Sequence, residues 1–244
     1  MTRFTFALGL AASLTIAACS DGSNDRQPTA QEYDAIATHV GSTTAKNGNG
    51  ELASMQDAFS LVAGVTPLGL ALDANGHIGG SRGSLTFDYQ VTCTDVNGAS
   101  LPACGDATNK ADIQLALTGS VDLPNVTASV DKHGHWELSD LKTAAPKLDG
   151  DGSFTFDSMI GQASYHLTYD AHYDDVVFDA QHTPVSGSID YTIHATHMDA
   201  SANDSFTVDA VITFTSDGHA TITLDGTAKY SLDLTTGVVV KITA

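Results

Sequence analysis

The residues whose types and spacing best suit chemistry are His166, Asp170, His172 and Asp174. Imidazole and carboxylate bind divalent cations and relay protons. Tyr165, Leu167, Tyr169 and Tyr173 alternate with polar positions, so a strand here turns its tyrosines to one side and these four residues to the other. Neighbours on that face, such as Asp170 and His172, are about 7 Å apart along the backbone, close enough to share an ion. His166 is about 20 Å from His172 by the same rise, so the four cannot meet at one metal. A site built on Asp170, His172 and Asp174 needs ligands from adjacent strands, such as His182 or His194. The expectation is therefore a solvated polar face with no metal and no cofactor.

The other candidates are thinner. His133 and His135 flank Gly134 in what reads as an exposed turn. Asp149-Gly150-Asp151-Gly152-Ser153 is similar to the opening of a calcium loop, but Phe154 holds the sixth position, where glycine belongs. Ile160 holds the twelfth in place of a bidentate glutamate, so a Gly-Asp turn is expected. Ser81 and Ser84 sit among Gly79, Gly80 and Gly83 with nothing tying either to a base. No zinc helix, phosphate loop or dinucleotide fingerprint appears, and the chain reads as noncatalytic.

Positioning these residues falls mostly to strands. Thr29-Ala30-Gln31-Glu32 matches a capping box. Tyr33, Ile36, Ala37 and Val40 then form one helical stripe, with Gly41 as the expected stop. Leu52, Met55, Phe59 and Val62 form a second, ended near Gly64, and Asn47-Gly48-Asn49-Gly50 separates the two. From Leu68 the period becomes two, as in Leu85, Phe87, Tyr89, Val91 and Cys93, or Phe206, Val208, Ala210, Ile212 and Phe214. Lys132-His133-Gly134, Asp149-Gly150-Asp151-Gly152 and Asp217-Gly218 read as turns. The count is about eleven strands in an antiparallel meander, preceded by two short helices. The alternation demands one buried face, which a sandwich, a curved half-barrel with a helical lid, or a closed barrel all provide.

Cysteine usage and the N-terminus give the address. Phe4 to Ala18 form a short apolar run behind Arg3, and Ala17-Ala18 suit a peptidase that needs small side chains. Ile16-Ala17-Ala18-Cys19 resembles the lipobox of bacterial lipoproteins. That resemblance implies removal of residues 1–18, acylation of Cys19 and, with Ser20 following, an outer-membrane location. Residues 19–28 then read as a mobile polar stalk, 29–64 as a helical segment packed on the sheet, and 65–244 as the β domain. Cys93 and Cys104 remain in a compartment where disulfides persist, and they are expected to pair.

Composition bounds the partners. The formal net charge is −19, and removing residues 1–18 takes away only Arg3, giving −20. No basic stripe exists to neutralise phosphates, so nucleic acid is not expected as a partner. The expectation is an envelope lipoprotein, membrane-bound through its lipid, whose β domain serves structure or a protein partner. The alternative is a lipid or small-ligand carrier with a helical lid, its wall including Phe87, Tyr89 and Phe206.

Overall fold

The computed structural model describes residues 26–47, 50–74, 76–123, 126–160, 163–198 and 205–243. The signal, Cys19 and the start of the stalk lie outside these residues.

Helix α1 (Ala30–Thr44) opens on the expected capping box, with Thr29 and Glu32 each satisfying the other's backbone N–H. Its inward stripe is Ile36, Ala37 and Val40. The helix does not stop at Gly41 but runs on to Thr44. Gly41 is a packing glycine, because a Cβ there would stand 2.3 Å from Val239 Cγ2. Helix α2 (Glu51–Val62) ends before Gly64, as the sequence suggests. It buries Ser54, Asp57, Ala58 and Leu61 as well as Leu52, Met55, Phe59 and Val62, so it is wrapped on nearly every side.

The remaining chain forms one antiparallel sheet in sequence order. Its strands are β1 (Leu70–Leu72), β2 (Ile78–Arg82), β3 (Leu85–Thr94), β4 (Lys110–Leu123), β5 (Val126–Ser139) and β6 (Lys147–Ile160). They continue as β7 (Ala163–Phe178), β8 (Pro184–His197), β9 (Ser205–Phe214), β10 (His219–Leu224), β11 (Ala228–Asp233) and β12 (Val239–Lys241). The meander is therefore twelve-stranded and open, with β1 and β12 as its edges. Helix α2 touches β3 while α1 touches β6, β10, β11 and β12, so the sheet curves around the helical pair and encloses one continuous core.

Two expected turns are strand interior. Lys132-His133-Gly134 lies within β5 and Asp149-Gly150-Asp151-Gly152 within β6, where Gly134 pairs directly with Gly152. These glycines serve the core rather than a reversal. A Cβ on Gly134 would lie 3.5 Å from Trp136 Nε1, and one on Gly152 would lie 3.5 Å from Tyr173 Oη. The bare backbone thus accepts two large rings, with a bulge between Leu148 and Gly150 adjusting the register.

Polar pegs fasten the helices to the sheet. Arg82 grips Asp57 at 2.6 and 3.1 Å, and Tyr33 donates to Asp225 at 2.6 Å. Tyr230 and Lys241 both donate to Asp34 at 2.7 Å, and Glu32 accepts from Arg26 and Tyr165. Cys93 and Cys104 form a disulfide with Cα atoms 5.4 Å apart, closing the loop between β3 and β4. A crosslink over so short a loop contributes roughly 3 kcal/mol in the chain-entropy description.

Candidate functional site

The outer face of β4 to β9 carries the residues singled out from the sequence. His135, Asp151, His172 and Asp190 stand in register on β5, β6, β7 and β8, forming an alternating row. His172, His135 and His166 are each engaged by one carboxylate across a strand gap. His172 Nδ1 meets Asp151 at 2.7 Å, His135 Nε2 meets Asp112 at 2.7 Å, and His166 Nδ1 meets Asp157 at 2.8 Å. Asp170 lies opposite Ser153 and Thr192, and Asp174 opposite Ser188. His194 turns to Thr207 at 3.0 Å, while His182 sits in the β7–β8 turn stacked 4.2 Å from the Phe59 ring. The structure thus leaves Asp170, His172 and Asp174 dispersed along one exposed face. Among the described residues no three His, Cys, Asp or Glu side chains are placed to hold a metal ion.

Two shallow open troughs follow this row. One, of about 390 Å³, is lined by His77, Asp88, Gln90, Gln114, His133 and His135. The other, of about 420 Å³, is lined by Asp151, Asp170, His172, Asp190, Thr192 and Asp209. Asp149 is not part of a calcium loop: its carboxylate accepts the Asp175 backbone N–H at 2.8 Å and supports the irregular stretch of β7. Gly79-Gly80-Ser81-Arg82-Gly83 has the Gly-x-Ser-x-Gly spacing of a nucleophile elbow. It runs instead through β2 and its hairpin to β3, and Ser81 Oγ pairs with Thr86 Oγ1 at 3.3 Å. No strand-to-helix turn presents that hydroxyl.

The inner face holds the more unusual chemistry. Lys132 on β5 and Glu51 at the start of α2 are both buried, with Nζ 2.8 Å from Oε2, a pairing by distance whose alignment falls short of a hydrogen bond. Lys132 Nζ lies 5.2 Å from the Trp136 ring centre, and the Trp136 and Tyr173 rings meet edge-on at 5.7 Å. Tyr169 and Tyr191 meet edge-on at 5.9 Å alongside. Burial pushes the Tyr173 and Tyr191 hydroxyls well above the usual phenol range, and the Glu51 charge pushes them further the same way. Both are therefore proton donors facing a carboxylate.

Thr44 Oγ1, Trp136 Nε1 and the hydroxyls of Tyr169, Tyr173 and Tyr191 are buried and make no well-aligned hydrogen bond among the described residues. Tyr173 nonetheless lies within side-chain hydrogen-bonding reach of Glu51 and Trp136, and Tyr191 within reach of Thr44, so these groups satisfy one another in part. The sequence hides this cluster because Lys132-His133-Gly134 reads as a turn, whereas it lies inside β5. The available signal was parity: Lys132 shares the inward phase of Trp136 and Leu138, and a lysine in that phase requires a buried carboxylate.

No protein-family model matches the chain, and no curated protein and no solved structure matches it either.

Proposed function

We propose that the chain is a lipoprotein of the bacterial outer membrane, tethered through Cys19, whose β domain is a noncatalytic module for contact with another envelope protein. The observation that carries this reading is the contrast between a filled interior and a broad polar outer face. Phe87, Tyr89 and Phe206, the wall considered for an apolar ligand, are all packed into the core. The outer face instead offers two open troughs, and the one lined by Asp151, Asp170, Asp190 and Asp209 is rich in carboxylates, suited to a partner that presents lysine or arginine.

The anchor is tested by feeding cells an alkyne-tagged fatty acid. Tagged protein in the membrane fraction, lost in Cys19→Ser, supports it; untagged wild-type protein overturns it. The contact surface is tested with a photo-crosslinking residue in place of Thr192. A discrete adduct in intact cells that disappears in Asp170→Asn/Asp209→Asn supports the reading, and an unchanged adduct, or none, removes it.

A second reading, a carrier of a small ligand beneath the helices, is favoured by one specific observation: the polar side chains buried around Glu51 and Lys132.

A further inference from the structure

We propose that the outer face grades its hold on a cationic partner by pH. The histidine-lined trough over β3 to β5 binds lysine or arginine near pH 7.5 and releases it near pH 5.5, while the carboxylate-lined trough over β6 to β9 keeps its hold. The inference rests on the contact-surface reading and adds its regulation.

Each imidazole of the first trough is matched to a carboxylate. His77 Nδ1 lies 3.0 Å from Asp88, His135 Nε2 2.7 Å from Asp112, and His133 Nε2 3.2 Å from Asp131. Three carboxylates thus face three imidazoles, all open to solvent. Ala116, in register between Asp88 and His133, is small enough to leave a depression between them. Histidine is the side chain whose charge ordinarily changes between pH 5 and 8. While the rings are neutral, the three carboxylates make the trough attractive to a cation. Once all three rings carry a proton, their charges cancel that attraction.

Other charges near the rings do not offset the change. The trough lining contains no lysine or arginine among the described residues, so histidine is its source of positive charge. The Asp73 carboxylate accepts the His77 backbone N–H at 2.9 Å. His133 has the uncharged Ala116 and Ser153 across from it on β4 and β6. His135 has Gln114 on β4 and Asp151 on β6, and Asp151 is itself met by His172 at 2.7 Å. Glu137, farther along β5, is tied to Lys110 at 2.6 Å and stands opposite Asp149.

The second trough has a different ratio. Asp151, Asp170, Asp190 and Asp209 line it with a single histidine, His172. Protonating His172 leaves most of that negative charge in place. Three strand gaps, roughly 14 Å, separate His135 on β5 from Thr192 on β8. The screening length at physiological salt is about 8 Å, so the two troughs respond separately.

The test uses the full chain in non-ionic detergent, with a photo-crosslinking residue in place of Gln114 in the first trough or of Thr192 in the second. Each is irradiated with octalysine, whose amines stay charged throughout, at pH 7.5 and 5.5 and equal ionic strength. Between these values the Gln114 adduct is expected to fall at least fivefold and the Thr192 adduct less than twofold. His77→Gln/His133→Gln/His135→Gln should hold the Gln114 adduct constant, whereas His166→Gln/His172→Gln should leave its fall intact. Asp88→Asn/Asp112→Asn/Asp131→Asn should lower it at pH 7.5 to the wild-type yield at pH 5.5. A Gln114 adduct that is absent at pH 7.5, equal at both values, or as steeply dependent in the triple glutamine variant overturns the proposal, as does an equal fall at both positions. The contact-surface reading is judged apart from this, by the Thr192 adduct in intact cells. That adduct beside a pH-independent Gln114 yield removes the regulation and leaves the contact. The expected pH response without any cellular adduct supports the grading and removes the envelope partner.

Discussion

The Lys132–Glu51 pair inside the sheet and the His172–Asp151 pair outside it have nearly the same length, 2.8 and 2.7 Å. Both tie one element to another, yet their surroundings differ completely. The inner side chains are 8% and 2% exposed, the outer ones 60% and 76%. At equal separation the Coulomb energy scales inversely with the local dielectric, so the inner attraction is several-fold stronger, and so is the cost of having removed its charges from water. The comparison teaches that contact length says little about what a pair does for this fold. Inside, each partner is obligatory for the other; outside, either partner can fall back on solvent.

Breaking the inner pair should have the largest effect. Lys132→Ala strands the Glu51 carboxylate among Trp136, Tyr173 and Tyr191, and a loss of about 3–5 kcal/mol in urea unfolding is expected. Replacing both partners, Glu51→Leu/Lys132→Met, should recover most of that loss, because buried pairs and well-packed apolar residues are close in free energy. A double variant as unstable as Lys132→Ala would mean that the pair's geometry, rather than charge balance, holds α2 in place.

Histidines sharpen the same contrast through pH. His39 on α1 packs edge-on against Phe156 at 5.6 Å, and burial holds its imidazole down to about 4. Its folded pKa lies below the ordinary value near 6.5, so the unfolded chain takes up the proton first. Stability from neutral His39 is then fully present above 6.5 and lost as pH falls toward 4. Over that window the loss should approach about 3 kcal/mol, since each pKa unit corresponds to about 1.4 kcal/mol. His39→Gln should flatten this part of the stability curve, measured by urea unfolding at stepped pH. Glu32 works in the opposite window. Its carboxylate is held at about 2 because hydrogen bonds from Arg26, Thr29 and Tyr165 outweigh the upward push of burial. Its contribution is present above about 4.5 and disappears only as pH falls through 2, so Glu32 should not contribute to the loss between 6.5 and 4.5.

Much of the fold was legible because strand alternation is a local signal. The phase of Phe87, Tyr89, Leu167 and Tyr169 placed those residues inside, and the capping box located the start of α1 to the residue. The Cys93–Cys104 disulfide agrees with the pairing expected of the two cysteines left once Cys19 is set aside for the lipid that the lipobox resemblance implies. What failed was wherever a residue's role is decided by a distant partner. Gly134 and Gly152 look like turn residues until the rings of Trp136 and Tyr173 are seen lying over them. Lys132 looks like a surface residue until Glu51 arrives from a helix far upstream. Gly41 looks like a helix stop until Val239, near the other end of the chain, closes on it. The same limit governed the site. The exposed histidine and aspartate residues announced themselves by spacing, whereas the buried cluster is assembled from α1, α2, β5, β7 and β8, which no window of sequence contains together.

The smallest effect should come from breaking the outer pair. The Asp151 hydrogen bond, the leading cause, raises the His172 pKa, with the charges of Asp151, Asp174 and Asp190 adding to the shift. A raised folded pKa means the interaction stabilises below the unfolded value near 6.5 and is lost as pH rises through the folded one, the reverse of His39. Because both side chains are well exposed and screened, Asp151→Asn should cost less than about 1 kcal/mol at pH 6 and almost nothing at pH 8. Its clear signature is instead in titration, where the His172 ring protons followed by NMR should shift their midpoint downward in Asp151→Asn and, more weakly, in wild type at high salt. A loss at pH 6 comparable to that of Lys132→Ala would show that the outer row is held as tightly as the inner one. The contrast between the two faces would then rest on residue type alone, not on burial.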